Sequence, residues 1–307
     1  NYPVEFIAAS MTYDMHNTDK LGVFREDAMH FGIALLPPDI NRSEVLFSVD
    51  NGAIRYALAA VRNVGAGAME AVLKERNQNG PFADIYDFVT RVPAEAFNRR
   101  ALEHLVKSGA FDSLHKNRQQ LFLALDMLIA HGNVSHQDRD SQQVSLFAGA
   151  DMPAVQAPKL PECGDWSSLE KLEHEYAAIG FYLSSHPLAG YKAALEQMRV
   201  LSSASFATKL DGQYRPVKVA GIVTGRKFKV SNKGRFAFVQ LSDISGVFEV
   251  SIFNELLLSQ HRDNLENGKI LLIQADAKLD ESGPRLIAQQ IALFDEVWTK
   301  QKQGRNA

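Results

Sequence analysis

At 307 residues the chain is long enough for about two domains, and 46% hydrophobic with 22% charged residues is enough apolar content for packed cores. No apolar run approaches the roughly 20 residues of a membrane span, so no membrane partner is expected. A net charge of −3 is not that of a uniformly basic nucleic-acid binder, the single Cys163 excludes a disulfide framework or a cysteine-based zinc site, and the nine histidines lack ligand-like spacing.

Residues 1–35 read as helical, with Asn17-Thr18-Asp19 as a cap and a stop at Gly32, before Pro37-Pro38 forces extended chain. The alternating runs SEVLFSV and AIRYALA flank Asp50-Asn51-Gly52, which predicts a hairpin. From Ala59 to Ile129 the pattern is short helices: AAVRNV, AGAMEAVLKERNQ, ADIYDFVTRV, NRRALEHLVKSG and NRQQLFLALDMLIAH. A tract from about Gly132 to Gly164 is too rich in Gly, Pro, Ser, Gln and Asp to pack a core of its own. Helices from Ser167 to about Leu183 and from Ala189 to Met198 follow. The last hundred residues hold five strand-like runs, ending in KILLIQADAKLD and RLIAQQIALFDEV, with one helix near Asn254–Asn264 between the third and fourth. That order is the one an OB-fold barrel takes. The predicted fold is therefore multidomain α+β, a helical helix-hairpin-helix region followed by a C-terminal five-stranded OB-fold β-barrel.

Three stretches could carry function. Gly65, Ala66, Gly67 and Ala68 lie in a hydrophobic-Gly-x-Gly turn between two predicted helices. Glycines allow a tight turn and close approach of a phosphate, and the first amides of the next helix can hold its oxygens. A plain helix turn with a glycine cap fits the same letters. Lys74 and Arg76 suit phosphate contacts or a solvated face equally well. A second turn at Ser108-Gly109-Ala110 reads as structural, burying Leu102, Leu105, Val106 and Phe111.

Between Arg215 and Arg235 the chain carries seven cations and no carboxylate. Arg226, Lys227, Lys229, Lys233 and Arg235, with Phe228, form the expected single-strand site, cations tracking phosphates and a ring stacking on a base. Phe236 and Phe238, two apart on one strand, share a face, and the expected face is the barrel interior. Finally Gln143-Val144-Ser145-Leu146-Phe147 sets an apolar pair inside the polar tract, either tucked onto its own domain or docked in a partner's pocket. No Ser/His/Asp spacing, no GxSxG and no Walker phosphate-binding loop occurs, and clustered carboxylates such as Glu170, Glu173 and Glu175 read as a solvated helix face.

In this order the segments NYPVEF, MTYDMHNTDKL, GIALLPPDINRS, IRYALAAVRNVGAGAMEAVLKER, ALEHLVKSGAFD and EKLEHEYAAIGFYLSSHPL resemble the C-terminal half of the C family, the replicative DNA polymerases of bacteria. The resemblance covers nearly the whole chain. It implies the end of a fingers region (1–50), a duplex-binding helix-hairpin-helix region (51–131), a linker with a clamp-binding motif and connecting helices (132–205), an OB-fold domain (206–300) and a tail (301–307). It implies that Gln143, Leu146 and Phe147 bind the sliding clamp, and that the partners are primer-template duplex, single-stranded template, clamp and other replisome subunits. The parent would be a cytoplasmic DNA-directed DNA polymerase using Mg2+. No segment matches that family's catalytic palm, so the expectation is a fragment with no cofactor and no catalysis of its own. The family's clamp-loader contact stays in doubt for a chain ending QKQGRNA. Two rivals are an error-prone lesion-bypass paralogue, which tends to lack a good clamp motif, and a non-catalytic hairpin/OB adaptor, which leaves NYPVEF and GFYLSSHPL unexplained.

Overall fold

The computed structural model describes residues 2–93, 98–144, 156–232 and 234–303. The chain divides into two compact units, one ending at Ser185 and the other beginning at His186.

The first unit opens with α1 (Pro3–Tyr13) and α2 (Thr18–His30), the latter capped by the Asn17 side chain, which accepts from the Lys20 amide at 3.2 Å. Strands β1 (Leu35–Leu36), β2 (Ser48–Asp50) and β3 (Ala53–Arg55) form a small sheet in which β2 and β3 are the predicted hairpin. Its turn needs two left-handed residues, supplied by Asn51 (φ 52°) and Gly52 (φ 81°). The strands are much shorter than the runs AIRYALA and SEVLFSV because Leu58–Ala60 coils into a 3-10 turn. Four helices follow: α3 (Ala66–Asn79), α4 (Ile85–Arg91), α5 (Arg99–Ser108) and α6 (Arg118–Val144). In α5, Ala101, Leu102, Leu105 and Val106 form a helical stripe that is almost wholly buried. Gly109 ends it at φ 82°, where a Cβ would overlap the Arg118 guanidinium, so the residue is fixed both by conformation and by space. Tyr56, Phe88 and Phe111 are fully buried in one core with these helices. Each such ring contributes on the order of 2 kcal/mol through apolar area removed from water.

The polar tract departs from expectation on both flanks. Helix α6 runs on through residues 132–144. It packs so closely on α4 that a Cβ at Gly132 would stand 2.6 Å from the Val89 carbonyl oxygen. Downstream, the chain is pinned to the same helices by its own backbone. Tyr86 Oη donates to the Pro158 carbonyl (2.6 Å), Gln120 Nε2 to that of Pro161 (2.7 Å) and Asn117 Nδ2 to that of Cys163 (2.9 Å). Carbonyl acceptors do not require apolar side chains, so a segment without a core can still be fixed. Next comes α7 (Ser168–Ile179), opened by a Ser167/Glu170 capping box and closed by Gly180. Glu175 in α7 is buried, contrary to the solvated face expected for it, and accepts the amides of Leu183 (2.6 Å) and Ser184 (2.9 Å).

The second unit begins with a 3-10 turn and the short helices α8 (Lys192–Gln197) and α9 (Phe206–Lys209). Strands β4 (Arg215–Ser231), β5 (Gly234–Ser242), β6 (Val247–Ile252), β7 (Ile270–Asp280) and β8 (Gly283–Leu293) close a barrel in the order β4-β5-β6-β8-β7. Helix α10 (Glu255–Gln260) sits between the third and fourth strands, the predicted OB order. One long strand serves two neighbours: Arg215–Ile222 of β4 pairs with β7, and Ile222–Ser231 with β5. At the changeover Gly221 faces Leu241 so closely that a Cβ would lie 2.9 Å from the leucine Cβ. The predicted last strand is shorter than the run RLIAQQIALFDEV, because Phe294 starts a helix, α11 (Phe294–Gln303), whose first-turn Asp295 and Glu296 suit a helix N-terminus. Among the described residues no helix is long and apolar enough to cross a membrane.

Candidate nucleic-acid interface

The predicted hairpin loop lies on the surface of the first unit. Its leading helix is absent: AAVRNV holds only the 3-10 turn, and Val61 is already extended. Neither glycine is needed for the turn. Gly65 is extended (φ −83°), and the left-handed step is made by Asn63 (φ 61°). Asn63 is held there by its amide, which lies 2.9 Å from His104 Nε2, while His104 Nδ1 lies 2.9 Å from the Arg100 carbonyl oxygen. These two residues were not singled out by sequence, since their pairing spans 41 positions. What the glycines do supply is access. Nothing lies within 4 Å of a Cβ placed on Gly65 or Gly67, and no side chain caps α3. The first amides of a 14-residue helix, at Ala66, Gly67 and Ala68, thus carry no side-chain cap and have the positive end of the helix dipole behind them, with Ala66 and Gly67 exposed and Ala68 half-buried.

Arg76 is not available to a phosphate. Its side chain is buried and donates to the Ile40 (3.2 Å) and Ser43 (2.7 Å) carbonyls and to Glu44 (3.0 Å), which ties α3 to the loop before β2. Lys74 is exposed. The second turn is structural as expected, with Leu102, Leu105, Val106 and Phe111 all 2% exposed or less.

On the barrel, register decides which face each ring takes. Ala237, Val239 and Leu241 of β5 are fully buried and fill the interior. Phe236 and Phe238 alternate with them and so lie on the outer surface, half-buried, which corrects the inward assignment. The pair cannot be oriented from its spacing alone, because period two fixes a common face without saying which. Phe236 and Phe238 contact edge to face with centroids 5.5 Å apart, and Phe253, just past β6, lies 5.7 Å from Phe236. Directly opposite on β4 stand Lys229, paired with Phe236, and Lys227, paired with Phe238. The Lys229 ammonium sits 5.3 Å from the Phe238 centroid.

Phe228 and Arg226 are in register with Ala237 and Val239, hence on the other side of the β4–β5 hairpin from the two lysines. Phe228 is 45% exposed, with the Arg226 and Arg262 guanidiniums 5.7 and 5.8 Å from its centroid. The predicted cluster is therefore split across two faces. Arg235 is exposed at the hairpin tip, and Lys233 lies outside the described residues. Phe253 and Arg262 join the site only through folding, although the parity of Glu249, Ser251 and Phe253 opposite β5 would have placed Phe253 outside once Phe238 was known to be outside. Of the clamp motif, Gln143 and Val144 fall in the last turn of α6, while Leu146 and Phe147 lie outside the described residues.

Residues 32–121 match a family described as helix-hairpin-helix motif, and residues 217–294 match the OB-fold nucleic acid binding domain. Over 279 residues the chain is 43% identical to the DNA polymerase III subunit alpha of Caulobacter vibrioides, a match covering 91% of this chain and 24% of that protein. The chain belongs to the DNA polymerase III alpha family. The alpha subunit of Neisseria meningitidis serogroup B is 36% identical across 95% of the chain, and that of Rickettsia prowazekii 30% across 97%. The chain spans about a quarter of the length of these alpha subunits. Among solved structures, the yeast mitochondrial single-stranded DNA-binding protein Rim1 matches 26% of the chain at 15% identity and a TM-score of 0.24, a likeness too slight to carry an argument.

Proposed function

We propose that this chain is the DNA-holding part of a replicative polymerase that carries out template-directed DNA synthesis with Mg2+. In this reading the α3 loop grips the backbone of the primer-template duplex, the outer face of β5 and β6 holds single-stranded template, and residues 143–147 dock in the sliding clamp. No residue of this chain is assigned a catalytic role.

The observation that carries the reading is the ring cluster of Phe236, Phe238 and Phe253 with Lys227 and Lys229 opposite it. Rings outside a barrel do not fill its core. They offer flat apolar surface beside cations, which is what stacked bases and their phosphates require. Contacts of this kind, and amide contacts at a helix start, grip nucleic acid without reading sequence, as replication of any template demands. An adaptor made only of hairpin and barrel modules would match alpha subunits over those regions. The identity instead extends through the intervening segments to 91% of the chain.

Titration of a labelled oligo-dT at several salt concentrations tests the barrel assignment. Each phosphate contact on a single strand contributes about 0.7 to the slope of log K against log salt, so Lys227→Glu with Lys229→Glu should flatten it by about 1.4. An unaltered slope refutes the assignment. Calorimetry against the sliding clamp tests the motif: Leu146→Ala with Phe147→Ala should abolish binding while the thermal midpoint is retained, and unchanged affinity refutes it.

A further inference from the structure

A groove of about 460 Å³ lies at the far end of β4 from the hairpin tip and is not part of the face described above. Its floor is aliphatic, made by Met198, Leu201, Leu210 and Val217. Its rim carries Arg199, Lys209 and Lys218, all exposed and none with an ion-pair partner among the described residues. A fourth cation, Arg215, is already paired with Asp211.

The groove is built rigidly. Leu201 donates its amide to the Lys218 carbonyl at 2.7 Å, and Val200 pairs with Lys218 as an isolated bridge. Ser203 is locked by the buried Asp243, which accepts its amide at 2.6 Å and its hydroxyl at 2.7 Å. Arg199 closes α8 in the left-handed region (φ 56°), its amide bonded to the Glu196 carbonyl and that of Val200 to Leu195. Glycine or asparagine is the unstrained choice there. A long cationic side chain kept at a strained position, on the lip of a concave apolar surface, points to a contact that folding does not require.

We infer that this groove binds a short acidic peptide segment of a partner protein, its aliphatic side chains on the floor and its carboxylates on Arg199, Lys209 and Lys218. Charge complementarity fixes the sign of the partner. The floor selects peptide over nucleic acid, because no aromatic ring lines the groove for a base to stack on. Arginine and lysine clusters beside an apolar pocket are a general means of reading acidic motifs.

The test uses the whole 307-residue chain and fluorescence anisotropy of a labelled decapeptide alternating Asp and Leu, beside its Lys/Leu counterpart and an oligo-dT. The Asp/Leu peptide should bind saturably and the Lys/Leu peptide should not. Lys209→Glu with Lys218→Glu should weaken Asp/Leu binding about tenfold or more, as like charges then meet at the rim. Arg199→Gly relieves the backbone and should raise the thermal midpoint while weakening the peptide, which separates binding from folding. Lys227→Glu with Lys229→Glu should leave peptide affinity unchanged. The inference is overturned by absence of saturable Asp/Leu binding, by rim variants that bind it equally well, or by rim variants that lose oligo-dT and not peptide, which would assign the groove to nucleic acid.

Discussion

Replacing Phe238 by alanine separates the two faces of β5. Its ring packs edge to face on Phe236 at 5.5 Å, lies under the Lys229 ammonium at 5.3 Å and stands opposite Lys227 and Ser251. Removing a fully buried phenyl costs about 3–5 kcal/mol, so a half-buried one on the outer surface should cost about 1–2 kcal/mol in urea unfolding. Stacking of a base on such a ring is worth about 1–3 kcal/mol, so affinity for oligo-dT should fall about 5- to 150-fold. The ammonium left behind keeps its phosphate contact, so the salt slope should stay as in the parent. Anisotropy of labelled oligo-dT over a salt series reads both quantities, with Val239→Ala as the interior comparison, expected to lose stability and keep affinity once folded. Two results would refute the reasoning. A stability loss in the range of a buried ring would put Phe238 inside, and unchanged oligo-dT affinity in a folded variant would make the outer rings mere packing.

Two further outcomes follow from the first unit. Gly65→Ala with Gly67→Ala meets no neighbour and no left-handed backbone; helix propensity gained at Gly67 offsets the favourable cap glycine lost at Gly65, so stability should stay within about 1 kcal/mol of the parent, while duplex affinity falls because methyls then stand between amides and phosphate. Gel-shift titration with a blunt duplex checks it, and undiminished affinity removes the loop from the interface. Burial, aided by Lys107, holds the His174 imidazole below its ordinary value, its ring packed against Trp166 at 3.8 Å. The folded form thus binds its proton less readily than the unfolded chain. This contribution is complete above about pH 6.5 and is lost as pH falls from there through the folded value. Urea midpoints measured between pH 5.5 and 7.5 should therefore decline on the acid side in the parent and less so in His174→Phe, and equal slopes would remove His174 as the cause.

The hairpin at Asn51-Gly52, the Asn17 cap, the α5 stripe and the strand order of the barrel were legible because each depends on residues near in sequence. What escaped depends on distance or on a choice between symmetric options. Period two put Phe236 and Phe238 together, yet only closure of the barrel, with Ala237 and Val239 filling its small interior, put them outside. The turn at Val64–Ala68 reads as a glycine turn, but the left-handed residue is Asn63, stabilised by a histidine 41 positions on. The tract after Gly132 reads as unpacked because composition counts side chains. The bonds that fix Pro158, Pro161 and Cys163 use their carbonyls and side chains borrowed from α4 and the start of α6, at Tyr86, Asn117 and Gln120.

The same distinction explains why a net charge of −3 misleads. Four of the chain's arginines are spent inside the first unit. Arg55 bonds Asp50 and the Pro37 carbonyl, Arg76 the Ile40 and Ser43 carbonyls, Arg91 Glu75 and the Gly80 carbonyl, and Arg118 both oxygens of Asp112. A planar guanidinium with five donors can satisfy several acceptors at once and tolerates burial when it does. Lys227 and Lys229 of the hairpin, like Lys209 and Lys218 of the groove, stay exposed without ion-pair partners among the described residues. Many acidic residues cap helices or pair with arginine, as Asp50, Glu75 and Asp112 do, and so cancel charge in the sum without neutralising the exposed lysines. The charge that a polyanion or an acidic peptide meets is thus set by which cations the fold leaves unspent. In this chain those include Lys218, Arg226, Lys227 and Lys229 on β4, whose faces follow from barrel register rather than from composition, and Arg199 and Lys209 beside the groove.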